Sequence, residues 1–168
     1  QHADVLVELD KLQDKKGGWG NALVLLVASI VVFVIAARRQ WDLKFALWLV
    51  PVLLLHEGGH WLAMRIFGYR NLKMFFIPFF GAAVTGRHWN VPGWKKAIVS
   101  LAGPVPGILL GCVLAIVAIF IQQPWLTQLT LLLLGLNAFN LLPFLPLAGG
   151  HVLHATLFCR NRWLDIAF

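Results

Sequence analysis

Residues 43–67 read LKFALWLVPVLLLHEGGHWLAMRIF. The stretch is apolar as far as Leu55, apart from Lys44 near its start, and is then interrupted by His56, Glu57 and His60. About 20 mostly apolar residues are needed to cross about 30 Å of hydrocarbon, so the stretch is long enough to be a membrane helix. A carboxylate and two imidazoles in such a helix are costly there and by default mark a functional site. His56 and His60 lie four residues apart, which puts both rings on one face of a helix. Both imidazoles can therefore point at one metal ion, and Glu57 can take a proton from water that the metal activates. Zinc suits two imidazoles, one further protein ligand and an open position. The same three residues could instead line an ion pathway or form a buried hydrogen-bonded trio. Gly58 and Gly59 are poor helix formers, read either as close helix packing or as room for a peptide beside the metal.

Outward from this helix, three more segments have the length and character of spans: Trp19–Ala37, Ala97–Ile121 and Trp125–Leu142. Trp19, Trp41, Trp94 and Trp125 stand at or near segment ends, as an interfacial aromatic belt places them. Gln122, Gln123 and Pro124 leave room only for a tight antiparallel hairpin between the last two spans. The connection from the second span to the third, residues 69–94, is longer. Within it Leu72–Thr85, LKMFFIPFFGAAVT, is aromatic and β-prone but broken by Pro78 and Gly81. It is expected to be a strand or β-loop dipping into the membrane, which irregular backbone can do only when protein or water covers it. The tail starts a short amphipathic helix at about His151–Cys159. The expected fold is an all-α polytopic membrane protein of about four transmembrane helices with a membrane-embedded β-strand region. Residues 1–18 form a polar tail, 19–37 an accessory helix and 43–160 the core.

Composition agrees. Of 168 residues, 60% are hydrophobic and 12% charged, against about 45–50% and about 25% in a soluble domain. Disorder, a coiled coil and an ordinary cytosolic enzyme are poor readings of such a chain. The formal charge is +7, and its distribution reads as topology, so nucleic acid is not an expected partner and the lipid bilayer is. With four spans, one side collects Lys11, Lys15, Lys16, Arg65, Arg70, Lys73, Arg87, Lys95, Lys96, Arg160 and Arg162, and the other only Arg38, Arg39 and Lys44. The positive-inside rule then puts both termini in the cytoplasm and the His56 cluster nearer the cytoplasmic face. Cys112 and Cys159 form no spacing pattern. The first residue is not Met, so the chain is expected to be a processed product or a fragment.

The end of the fourth span reads Asn140-Leu141-Leu142-Pro143-Phe144-Leu145-Pro146-Leu147-Ala148-Gly149-Gly150. With His56-Glu57-Gly58-Gly59-His60, it resembles the site-2 proteases, polytopic intramembrane zinc metalloproteases. Their pattern is H-E-x-x-H on one core helix and N-x-x-P-x-x-P-L-D-G on the third. Gly103-Pro104-Val105-Pro106-Gly107 fits the G-x-x-x-[N/S/G] of their middle helix, a weak motif by itself because small-xxx-small is ordinary packing. The resemblance runs from about Leu43 to Leu157. It implies zinc, Glu57 as catalytic base, His56 and His60 as ligands, and a third ligand at position 148. It also implies Asn140 as a group holding substrate backbone or oxyanion, and a substrate-pairing strand around Gly81 and Ala82. Asn137, three residues before Asn140, reads as an ordinary interhelical hydrogen bond.

The departure is Ala148, where the family has its ligand aspartate. A deliberate removal of the ligand, natural divergence, or replacement by His151 or His154 would each account for it. The first is favoured because the surrounding motif residues are intact. The expected activity is hydrolysis of peptide bonds in or near transmembrane segments of membrane proteins, weakened or lost by Ala148. The alternative is a non-catalytic scaffold that binds such segments. A transporter would need polar residues on several helices, and the first span offers only Ser29 near its middle.

Overall fold

The structure, a computed structural model, describes residues 19–88, 91–145 and 147–156. The tail at 1–18 and Cys159 lie outside them. Six helices and one hairpin follow in order: α1 (Trp19–Ala37), α2 (Leu43–Ile66), β1 (Arg70–Ile77), β2 (Gly81–Arg87), α3 (Gly93–Ala102), α4 (Pro104–Ile121), α5 (Pro124–Asn140) and α6 (Ala148–Thr156).

Among the described residues, three stretches are long and apolar enough to cross a membrane: Gly20–Ala37, Leu43–Ile66 and Gly93–Ile121. The expected count of four spans is not reached on this measure, because α5 is only 17 residues long. The third expected span is two helices. It starts at Gly93 and breaks at Gly103, where Pro104 and Pro106 open α4 without backbone N–H groups to join it to α3. The tail helix begins at Ala148 and takes in Gly149 and Gly150, which the sequence reading placed before it.

The β region is an antiparallel hairpin, with Met74 opposite Val84 and Phe76 opposite Ala82. Its turn, Pro78-Phe79-Phe80, closes through Phe80 N–H to the Ile77 carbonyl at 3.2 Å. Gly81 has φ +104, a backbone region L side chains rarely adopt. The hairpin packs under α1 and α2. Phe33, Ala37, Ala46, Leu49, Leu53 and Phe76 form the buried core, and Phe33 meets Phe76 edge to face at 5.4 Å. Ser29, the one polar side chain near the middle of α1, accepts the Phe76 N–H at 3.0 Å and donates to the Leu26 carbonyl at 2.8 Å. The outer edge of β1 is thereby tied to α1.

The α4–α5 hairpin is tighter than expected, because Pro124 joins α5 and leaves a two-residue connection, Gln122 and Gln123. Gln122 takes a left-handed cap, φ 51, and Pro124 opens α5. Trp125 stacks on Trp48 with ring centroids 6.0 Å apart, so the starts of α2 and α5 lie side by side. At the far end of α2, Phe67 and Trp94 meet edge to face and Lys95 lies over both rings. Aromatic groups thus gather at both ends of α2, as at two membrane interfaces.

Candidate active site

The helical repeat brings His56 and His60 together, as their spacing requires. Their Nε2 atoms are 3.1 Å apart. Each Nδ1 is engaged elsewhere: that of His60 with the main-chain carbonyl of Val99 in α3 at 2.7 Å, and that of His56 with Asn137 Oδ1 in α5 at 2.7 Å. A carbonyl oxygen can only accept, so each Nδ1 carries the proton. Both Nε2 lone pairs then face one point. Two nitrogens about 2.0–2.1 Å from a tetrahedral zinc are themselves about 3.3 Å apart, so the donor pair fits a metal. Among the described residues, no group of three or more His, Cys, Asp and Glu side chains could hold one.

Glu57, on the next position of α2, is buried. Its carboxylate accepts a hydrogen bond from the backbone of Val84 in β2. Phe76 gives its N–H to Ser29 rather than to Ala82 opposite it, so two residues on the Val84 amide, opposite Met74, also points away from β1. The hairpin is therefore held along both edges, by Ser29 of α1 on β1 and by Glu57 of α2 on β2.

The glycines divide the work. A Cβ at Gly59 would fall on the Ala102 carbonyl, so Gly59 lets α2 close onto the break at Gly103. Gly58 has nothing within 4 Å and faces open space. A Cβ at Gly103 would run into the His60 ring, and one at Gly107 into the Asn137 amide. The G-x-x-x-G spacing, which fits the family's middle-helix motif but is weak by itself, clears room for two side chains of the site.

Position 148 is the first residue of α6, and Ala148 is buried. A Cβ at Gly149 would strike the Leu141 carbonyl and one at Gly150 the backbone of Phe144, so both glycines let the 141–145 turn lie on the helix start. α6 packs on α3, the helix that holds His60. His151 is exposed. Asn140 turns its amide back to the Leu136 carbonyl at 3.0 Å. A Cβ at Gly81 would lie 3.6 Å from Leu53 Cδ2 of α2, and Ala82 packs on the core that includes Leu53. The residue the sequence reading passed over is Asn137. Its interhelical bond is real, but the partner is His56; the available signal was an amide in an apolar span on the face that meets the glycine motif.

Residues 44–132, just over half of the chain, match the family description "Peptidase family M50". The chain belongs to peptidase family M50. This M50 chain is 32% identical over 140 residues to a protein of Methanocaldococcus jannaschii named zinc metalloprotease, covering 80% of the chain and 40% of that protein. It is 34% identical over 140 residues to stage IV sporulation protein FB of Bacillus subtilis, covering 80% and 48%. A solved site-2 protease from Methanocaldococcus jannaschii matches with a TM-score of 0.61 and 27% identity over 83% of this chain and 66% of that one. The chain thus spans less than half the length of these two sequence relatives. The resemblance carried by the two motifs is a true family membership.

Proposed function

We propose that this chain is the core of an intramembrane zinc metalloprotease that hydrolyses peptide bonds in or near transmembrane segments of membrane-protein substrates. The observation that carries the reading is the pair of Nε2 atoms 3.1 Å apart, each imidazole fixed through its other nitrogen, beside a buried carboxylate in a spanning helix. His56 and His60 would hold the zinc. Bound zinc supplies Lewis-acid activation of water and polarisation of the scissile carbonyl. Glu57 acts as general base and then returns the proton to the leaving amine. The open space beside Gly58 receives the substrate backbone. A helix hides its carbonyls in hydrogen bonds, so the substrate unwinds locally and its extended stretch pairs with β2 around Gly81 and Ala82. Asn140 is the candidate to hold substrate backbone at the end of α5.

α5 is the fourth span in this reading. Its 17 residues reach about 25 Å, and the Trp48–Trp125 stack supports a start at the same interface as α2. The termini are then cytoplasmic and the site lies nearer that face. The lipid bilayer covers the outward apolar side chains, such as Val24 and Ile119.

Ala148 weakens or abolishes activity by withholding the third protein ligand that catalytic zinc normally has. The test is Ala148→Asp in the purified chain. Zinc content and cleavage of a transmembrane substrate should both rise; no gain in either refutes the assignment of position 148. The buried, donor-free Ala148 also favours a second reading, a scaffold that binds transmembrane segments without cutting them. Glu57→Gln in the Ala148→Asp background separates the two: a protease loses the regained cleavage, whereas a scaffold has none to lose and keeps its substrate affinity.

A further inference from the structure

We propose that Asn137 is the positioning residue of the metal centre: it fixes the tautomer and direction of His56, and Gly107 exists to make room for it. The inference rests on the metal-site reading of His56 and His60 and adds a group outside the motif residues.

Asn137 is fully buried, at 0% exposure, and both ends of its amide are committed. Nδ2 donates to the Leu133 carbonyl of its own helix at 2.7 Å. A carbonyl can only accept, so that bond settles which end of the amide is nitrogen. Oδ1 is left facing His56 Nδ1 at 2.7 Å and can only accept there. The proton must sit on His56 Nδ1, and the Nε2 lone pair is forced toward His60. A metal-binding histidine commonly gives its remaining N–H to such an acceptor, which orients the ring and makes it a stronger ligand. His60 obtains the same service from the Val99 carbonyl, a main-chain group that no substitution can delete. His56 depends on a side chain from another helix.

That side chain needs space. A Cβ at Gly107 would collide with the Asn137 amide nitrogen, carbon and oxygen. At Gly111, the next small residue on the seam, the three atoms nearest a Cβ belong to Leu134 and Leu133. The seam between α4 and α5 is thus ordinary apolar packing at Gly111 and a seat for a polar group at Gly107. An amide held at this depth is costly unless every polar atom is bonded, and here each is.

The test uses the chain with 15N-labelled histidine in detergent micelles, free of metal, with His56 and His60 signals assigned by single substitution. Both rings should show a protonated Nδ1. In Asn137→Leu, His56 should shift to a mixture in which Nδ1 is partly bare while His60 keeps its Nδ1 proton. Zinc affinity, measured by competition with a chromophoric chelator, should fall about 10–100-fold. Asn137→Asp keeps an acceptor at the same place and should restore the His56 tautomer. If Asn137→Leu does not purify folded, Gly107→Ala displaces the amide and should give the same His56-only signature. Retention of the Nδ1-protonated form in the folded variants, or an equal change at His60, overturns the proposal. None of these readouts involves cleavage, so a chain that proves not to be a protease still decides the question.

Discussion

α1 and α2 are both apolar helices of membrane length, yet they spend their polar atoms differently. α1 carries one polar side chain near its middle, Ser29, and uses it to hold a strand edge. α2 carries three in one turn and a half, and its neighbours are shaped around them: the Val99 carbonyl for His60, Asn137 for His56, the Val84 amide for Glu57. Within the described residues no buried side-chain nitrogen or oxygen lacks a partner. In an apolar medium such groups persist only when bonded. The contrast teaches that polarity in α1 is structural and in α2 preparatory: its bonds leave the two Nε2 lone pairs convergent.

Substitutions can break or sharpen that contrast. The largest effect falls on α2. With Ala148→Asp in place, Glu57→Gln should cut substrate cleavage about a hundredfold to ten-thousandfold, the usual worth of a general base, while zinc content stays unchanged. A parallel loss of zinc would make Glu57 part of the metal's support instead. Next comes the packing of the same helix. Gly59→Ala should destabilise the fold by about 1–3 kcal/mol or more, because the methyl strikes backbone that cannot yield. Gly58→Ala, one residue away in open space, should leave unfolding in a detergent titration nearly unmoved. On α1, Ser29→Ala leaves the Phe76 N–H unpartnered and should cost about 1–3 kcal/mol; faster amide exchange at Phe76, with no change in zinc content, would confirm its structural role. The smallest effect belongs to the lipid side: Val31→Ala, at a site 52% exposed, should change stability within about 0.5 kcal/mol.

Much of this was legible because it is local. The apolar runs mark α1 and α2, the four-residue spacing joins His56 to His60, and Pro78 with Gly81 interrupts a β-prone run where the hairpin turns. What stayed hidden is relational. Asn137 and Asn140 look alike along the chain, and only the way α5 packs decides that one meets His56 and the other its own helix. Gly103 and Gly107 look like a packing motif until the side chains opposite them are known. The break at Gly103 was masked because the apolar run continues across it, although two prolines follow. Ser29 could not be paired with Phe76 from sequence, since the partner is a backbone amide far along the chain.

One consequence follows from the Trp48–Trp125 stack. It and the Asn137–His56 bond pin α5 to α2 at two points, like two pegs through adjacent rulers. A single residue inserted between Trp125 and Asn137 would advance the helix by about 1.5 Å and turn it by about 100°, so at most one peg could stay seated. Length changes between the two pegs would therefore be felt as a loss of register, whereas the turn at Gln122, outside them, can absorb an added residue without disturbing either.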